Sequence, residues 1–568
     1  MDYLIKRFCP RIDFDSYEDF KANFKINTPD DFNFGFDVVD EWARVEPDKK
    51  ALVWCDDHND ERVFSFQDIS LFSNRAARAF QRIGIGKGDV VMVMLRQRWE
   101  YWIIAMALCK LGAILSPATV QLTTKDINYR LRTSGAKALV FLDDDYVLSQ
   151  VEPLLSPESE NKVLPIVVNA RSYRRDWLDF MYMMSGETSD SFERPSGAAA
   201  THNNDIMLIY FTSGTTGLAK MAMQDFTHPL GHIITARYWQ QVQENELHCS
   251  VSDSGWAKFG WGKIYGQWIC GATVFAYDME RFQPKEMLSR IERYRLKTFC
   301  VPPTMYRFML QEDVAAFDLS SVETFTTAGE PLNPDVNRQW QELTGKLIRE
   351  GFGQSESPVL LANFPWISPK PGSMGKPSPL YDIRLLDEDG LEVADGDEGH
   401  ICVGGLQGSY PPGLFVGYYR DPQRTAEAVG GEYYNLHDLA WRDVDGYYTF
   451  IGRDDDVIKC SGYRIGPFEV ESALAEHPAV LESAVTAVPD ELRGSVVKAT
   501  VTLKPGFEAS DELVLELQEH VKQTTAPYKY PRIVEFVDAL PKTVSGKIKR
   551  AQIRTEDAGG VWEGEATH

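Results

Sequence analysis

Short apolar runs rich in β-branched residues alternate with helical stretches over most of this chain, and few folds accept that rhythm. Val90–Leu95 reads as a strand entered from a turn with Gly84, Gly86 and Gly88. A helical stretch follows, then a short run at Ala113–Ser116. Ala138–Leu142, Val163–Val168 and Ile206–Phe211 are further strands of the same character. Strands separated by helices favour an α/β body with largely parallel sheets. The longest apolar stretch, Tyr101–Cys109, is ended by Lys110. It falls well short of the ~20 residues that span a bilayer and reads as a buried helix.

The rhythm breaks near residue 452. Gly452, Arg453 and the acidic run Asp454, Asp455 and Asp456 lead into a glycine-punctuated loop. Beyond it come a helix at Pro467–His477, strands at Ala484–Val488 and Val496–Leu503, a helix at Ser510–Thr524 and a last strand at Arg532–Val537. At 568 residues the chain is too long for one ordinary domain. The expected architecture is an α/β body with several subdomains at residues 1–453, plus a small α+β domain at residues 454–568 able to fold by itself.

Charge narrows the partners. Asp and Glu number 83 against 59 Lys and Arg, a formal charge of −24. Such a chain repels nucleic acid and anionic lipid, so neither is expected as a partner. A polyphosphate would have to be held by local cations and backbone N–H groups. The eight cysteines are scattered, with no pair at C-x-x-C spacing, and the amino terminus has no apolar signal core. Together these point to buried thiols in a reducing cytoplasm.

The densest chemical signal follows Ile206–Phe211. The strand runs into Thr212, Ser213, Gly214, Thr215, Thr216 and Gly217, and Lys220 closes the segment. Two glycines let backbone approach an anion, the hydroxyls add donors and Lys220 adds charge. The G-x-x-x-x-G-K-[ST] spacing of a Walker loop is absent, and the alternation after Lys220 is that of a strand. Standing alone, such a stretch is as readily a turn.

It does not stand alone. The run resembles the signature loop of the adenylate-forming superfamily, with Ala219 where that pattern has proline. Further segments resemble the same family in the same order, from about Asp37 to Arg550. Gly329, Glu330 and Pro331 look like its adenine-side loop. Gly351, Phe352, Gly353, Gln354, Ser355 and Glu356 look like its adenine and metal motif, with Phe352 for tyrosine and Ser355 for threonine. Asp438 falls at the ribose-binding aspartate, but Leu436 and His437 replace the usual Thr-Gly. His437 is read as altering loop shape, without a catalytic role. Arg453 fits a ribose or phosphate contact, Asp455 the hinge pivot and Arg464 a phosphate clamp. Ser461, Gly462 and Tyr463 fit the loop that passes the pantetheine of coenzyme A. Lys547, after Gly546, fits the adenylation lysine.

Among such enzymes the pattern is most similar to medium-chain acyl-CoA synthetases. The resemblance implies that ATP activates a carboxylic acid as acyl-AMP, which coenzyme A converts to acyl-CoA, with Mg2+ on Glu356. It implies a mobile carboxy-terminal domain that presents Lys547 for the first step and the Ser461–Tyr463 loop for the second. Lys220, Arg464 and Lys547 would share charge neutralisation at the α-phosphate. Trp239, Trp256, Lys258 and Trp261, with Gly329 and Gly353, are candidates for the acyl pocket, although the tryptophans are as readily ordinary core. Gly353 stands where acetate-specific members carry tryptophan, so the expected acid is medium-chain or branched, with a small aromatic acid second. A carrier-loading adenylation enzyme is the other reading. A homodimer is a candidate assembly.

Overall fold

The computed structural model describes residues 2–156, 159–212, 219–406, 410–429, 431–460, 463–490, 493–542 and 548–559. Among these, two large sheets dominate. One has nine strands, with Ile348–Phe352, Thr324–Thr327, Thr298–Cys300, Leu247–Ser250, Thr273–Asp278 and Lys50–Asp56 running parallel through its middle. The other has eight, with Ile206–Thr212, Ile114–Ala118, Val90–Met94, Ala138–Leu142, Leu164–Val168 and Leu178–Asp179 parallel. Antiparallel pairing occurs only toward the edges of both, as when Lys220–Asp225 returns beside Ile206–Thr212.

Burial explains the longest apolar run. Every residue of the helix Glu100–Leu111 is buried, so it is apolar on all sides. Lys110 does not end it. Its ammonium lies inside, bonded to Asp40 at 2.7 Å, Ser73 at 3.0 Å and Asn74 at 2.6 Å, which offsets the cost of burying a charge. No helix among the described residues is long and apolar enough to cross a membrane.

The expectation of largely parallel pairing fails between residues 382 and 453. There Asp382–Leu386, Glu398–Gly404, Tyr434–Arg442 and Tyr448–Arg453 form an antiparallel sheet. A tight turn joins the last two: the Asp443 carbonyl accepts from the Gly446 amide at 2.9 Å. Strands joined this tightly pair antiparallel because no crossover separates them.

Beyond the acidic run, Ile458, Cys460, Val470, Leu474, Val485, Val501 and Leu517 share a separate apolar core. It is built from the helix Pro467–Ala475, the hairpin Val480–Asp490 with Gly494–Leu503, the helix Asp511–Thr524 and the strand Ile533–Phe536. The first hairpin strand is longer than its apolar centre suggests, because the ladder continues through Pro489 opposite Ser495. This unit meets the body through polar contacts: Arg307 with Glu482 at 3.7 Å, and Asn333 donating to the Ser472 carbonyl at 3.4 Å.

Candidate active site

In open parallel sheets ligands gather beyond the carboxyl ends of the strands. The strands Ile206–Thr212, Thr324–Thr327 and Ile348–Phe352 end at three of the segments singled out above. Thr212 pairs with Lys220 across the antiparallel ladder. Ser213, Gly214, Thr215, Thr216 and Gly217 between them lie outside the described residues. Lys220 is held at the base, its ammonium 5.5 Å from the centre of the Tyr418 ring.

Glu356 lies beside that lysine. It is buried, and burial pushes its carboxyl above the usual range. Lys220, Arg453 and the Tyr418 hydroxyl, which donates at 3.4 Å, pull the other way. Gln354, two residues earlier, ties the motif to the antiparallel sheet. Its amide donates to the Leu436 carbonyl at 2.8 Å and to Asp438 at 2.7 Å, and accepts from the Tyr434 hydroxyl at 3.1 Å. The Ser355 carbonyl accepts from Gln224 at 3.0 Å. Phe352 packs its ring 6.2 Å from Phe450.

Asp438 is buried opposite Arg453 in the Tyr434–Arg442 and Tyr448–Arg453 ladder. The guanidinium lies 3.9 Å from Asp438 and 3.6 Å from Asp455. Each carboxylate of the acidic run has a partner. Asp455 faces Arg453, Asp454 bonds His437 at 2.9 Å, and Asp456 bonds Arg554. Burial and the neighbouring Asp456 both raise the Asp455 carboxyl.

Among the residues expected to line the acid pocket, Gly329 has φ +104°, and a side chain there would meet nothing within 4 Å. Its backbone requires glycine and faces open space. Glu330 accepts from Thr304 at 2.8 Å, and Pro331 is half-buried. Trp239 lies across Gly351, where an added Cβ would come 2.5 Å from the indole, and stands 5.7 Å from Trp261. Lys258 donates to the Ala328 carbonyl at 3.4 Å, while its ammonium stands 5.7 Å from the Trp261 ring. Trp256 caps the helix Ala257–Lys263 and is partly exposed.

One expectation needs correcting. Gly353 does not open acyl space, because a Cβ there would lie 2.3 Å from the Pro358 carbonyl oxygen. The glycine serves close backbone approach. In this arrangement of the chain Arg464, expected as a phosphate clamp, pairs with Glu388 at 2.8 Å on an exposed edge. Tyr463 is exposed and stacks on Tyr528 at 4.2 Å. Ser461, Gly462 and Lys547 lie outside the described residues. Arg550, half-buried, pairs with Glu471 at 2.7 Å and lies within electrostatic reach of Glu330.

Sequence reading missed Tyr418, Tyr434 and Glu350. Tyr418 and Tyr434 reach Glu356 and Gln354 across 62 and 80 residues, and no local spacing signals such a contact. Glu350 sits in the strand Ile348–Phe352, buried, with the Leu332 amide donating to it at 3.3 Å. Burial pushes it up to about 8. An acidic residue between apolar neighbours in a strand entering the motif was the available signal.

A buried carboxylate beside a lysine, with an Asp–Arg pair next to it, can bind a metal–polyphosphate and a sugar diol. The comparisons agree. The family model described as AMP-binding enzyme matches residues 39–419, and AMP-binding enzyme C-terminal domain matches residues 469–547. Mitochondrial acyl-coenzyme A synthetase ACSM3 of Mus musculus is 41% identical over 555 residues, covering 96% of this chain and 94% of its own. Mitochondrial ACSM4 of Homo sapiens is 41% identical over 561 residues, with 96% and 94% covered. The structure of the anthranilate CoA ligase AuaEII in complex with anthranoyl-AMP superposes with a TM-score of 0.84 at 28% identity, covering 94% of this chain and 98% of its own. An acyl-CoA synthetase of Brucella canis gives 0.72 at 30%, with 96% and 99% covered. The cytoplasmic expectation does not stand, since these curated relatives are mitochondrial proteins. All eight cysteines are free and buried, which fits a reducing compartment without saying which one.

Proposed function

The chain belongs to the AMP-binding enzyme family, and on that premise we propose that it is an acyl-CoA synthetase acting on a medium-chain or branched carboxylic acid. The observation that carries this reading is the meeting of Glu356, Lys220, Gln354, Asp438 and Arg453 in one cleft, from segments far apart in sequence.

The carboxylate oxygen of the acid attacks the α-phosphorus of ATP, and pyrophosphate leaves. This brings two anions together, so the site must neutralise charge and hold the atoms in line. Lys220, the loop from Thr212 to Gly217 and Lys547 serve that need. Asp438 accepts from the ribose hydroxyls, and Arg453 fixes its orientation. Phe352 forms one wall for adenine, with Gly329, Glu330 and Pro331 as the other. The thiol of coenzyme A then attacks the acyl carbon, AMP leaves with the bonding pair, and the thiol proton passes to solvent.

Glu356 suits Mg2+. It is one hard oxygen donor, and no group of three His, Cys, Asp or Glu among the described residues could hold an ion alone. Magnesium takes one or two protein carboxylates and completes its shell with phosphate and water. When bound it would supply positive charge to the triphosphate.

The carboxy-terminal domain acts as the movable unit, turning at Asp455 so that the chain beyond that residue moves and exchanges Lys547 for the Ser461–Tyr463 loop. The separate core beginning at Ile458 supports this, and polar contacts such as Arg307 with Glu482 are among those that join it to the body. Trp239 over Gly351, with Trp261 beside it, walls the acid pocket. ATP–pyrophosphate exchange over straight-chain acids from acetate to dodecanoate, with benzoate, tests the reading. Exchange with a medium-chain acid and thioester formation with free CoA are expected. Exchange with none of the acids, or best exchange with acetate, contradicts it.

A further inference from the structure

His437 stands where the resembled motif has glycine, and its backbone keeps the glycine geometry. Its φ is +60°, the left-handed region, which costs a side-chain-bearing residue something although histidine tolerates it better than most. The strain has a visible return. The imidazole Nδ1 lies 2.9 Å from Asp454 Oδ2, and the Asp454 amide donates to the His437 carbonyl at 3.1 Å. A further bond at 2.8 Å, from the His437 amide to Asn435 Oδ1, fixes the turn from the other side. His437 is thus fastened to Asp454 by backbone and side chain at once. Asp438 follows it on the ribose side, and Asp455 follows Asp454 in the hinge.

Asp454 precedes the proposed pivot, so it belongs to the stationary end of the hinge. Asp456, on the other side, bonds Arg554 of the carboxy-terminal helix Arg550–Asp557. The acidic run is therefore divided: one carboxylate is tied to the body, one faces Arg453 and one is tied to the moving unit. With a glycine at 437 only the backbone bond would hold Asp454.

We propose that His437 is a positioning residue that pins Asp454 to the body, so that domain rotation is confined to Asp455 and the second half-reaction receives a defined hinge. This rests on the domain-rotation reading, but the pin itself is a local property measurable without turnover. Hydrogen–deuterium exchange of the peptide spanning residues 448–457, on the full chain, is the primary test. His437→Gly removes the ring and keeps the backbone free of strain, and His437→Asn tolerates the left-handed region without the imidazole bond. Both are expected to speed exchange at the Asp454 amide by about two- to fivefold, the range an exposed pair supports. Asp454→Asn should do the same, non-additively with His437→Asn, and Asp454→Glu should behave like the parent.

Pyrophosphate exchange should stay within about twofold in His437→Gly, while synthesis of acyl-CoA falls by about two- to fivefold. Unchanged amide exchange in all three variants would overturn the pin. Faster amide exchange with both half-reactions untouched would keep the pin but overturn its link to rotation.

Discussion

Glu350 and Glu356 lie six positions apart and meet burial with different company. Around Glu356 are Lys220, Arg453 and the Tyr418 hydroxyl, so its negative form has partners. Glu350 has one peptide N–H, from Leu332, and burial pushes it up to about 8. Below about pH 4.5 folded and unfolded chains both keep this proton. Between there and about 8 the unfolded chain releases it while the folded chain holds it, so folding stability falls across that window and levels off above. Glu350→Gln preserves the acceptor and removes the titration. It should match the parent near pH 5 and gain on the order of 2–5 kcal/mol by about pH 8.5. Thermal unfolding of both proteins at the two pH values checks this, and a constant difference would contradict it. Glu356 was legible because its motif is a run of neighbours. Glu350 was not, because what isolates it is the fold around the Leu332 loop. The partner that Arg464 takes in this arrangement, Glu388, lies 76 positions away and no local spacing signals it.

Elements carried the sequence signal best where one residue type suits one environment. The strands Ala138–Leu142 and Ile206–Thr212 are apolar because both sheet faces are covered, and their bounds lie within a residue of the alternation. The antiparallel sheet of residues 382–453 was less legible, since its half-exposed strands carry polar residues such as Arg384, His400 and Asn435 and blur the pattern. Ile348–Phe352 and the loop after it show how an element sets a pocket. Gly351 gives its space to Trp239, and Gly353 gives its space to the Pro358 carbonyl. Substitutions at the two glycines should therefore differ in kind. Gly353→Ala should depress pyrophosphate exchange about tenfold or more with every acid, because backbone must shift. Gly351→Ala should instead alter the ranking of acids, because a movable indole gives way. Equal effects at both positions in an exchange screen would contradict this division.

At the scale of the whole molecule, a strongly acidic chain still places Lys220 and Arg453 near Glu356, and the carboxy-terminal unit has an apolar core of its own. A division near residue 453 is expected from the break in rhythm, and a separate core starting at Ile458 is consistent with it. The partners of the acidic run were not readable, because three aspartates have the same composition whether solvated or, as here, allotted to His437, Arg453 and Arg554. Division of labour between one fixed cleft and one moving lysine is the central claim. It is tested most directly by measuring both half-reactions of Lys547→Ala separately. Acyl-adenylate formation, followed by pyrophosphate exchange, should fall by about a hundred- to a thousandfold. Conversion of supplied acyl-adenylate to acyl-CoA should remain within a few-fold of the parent, whereas equal loss of both would contradict the claim.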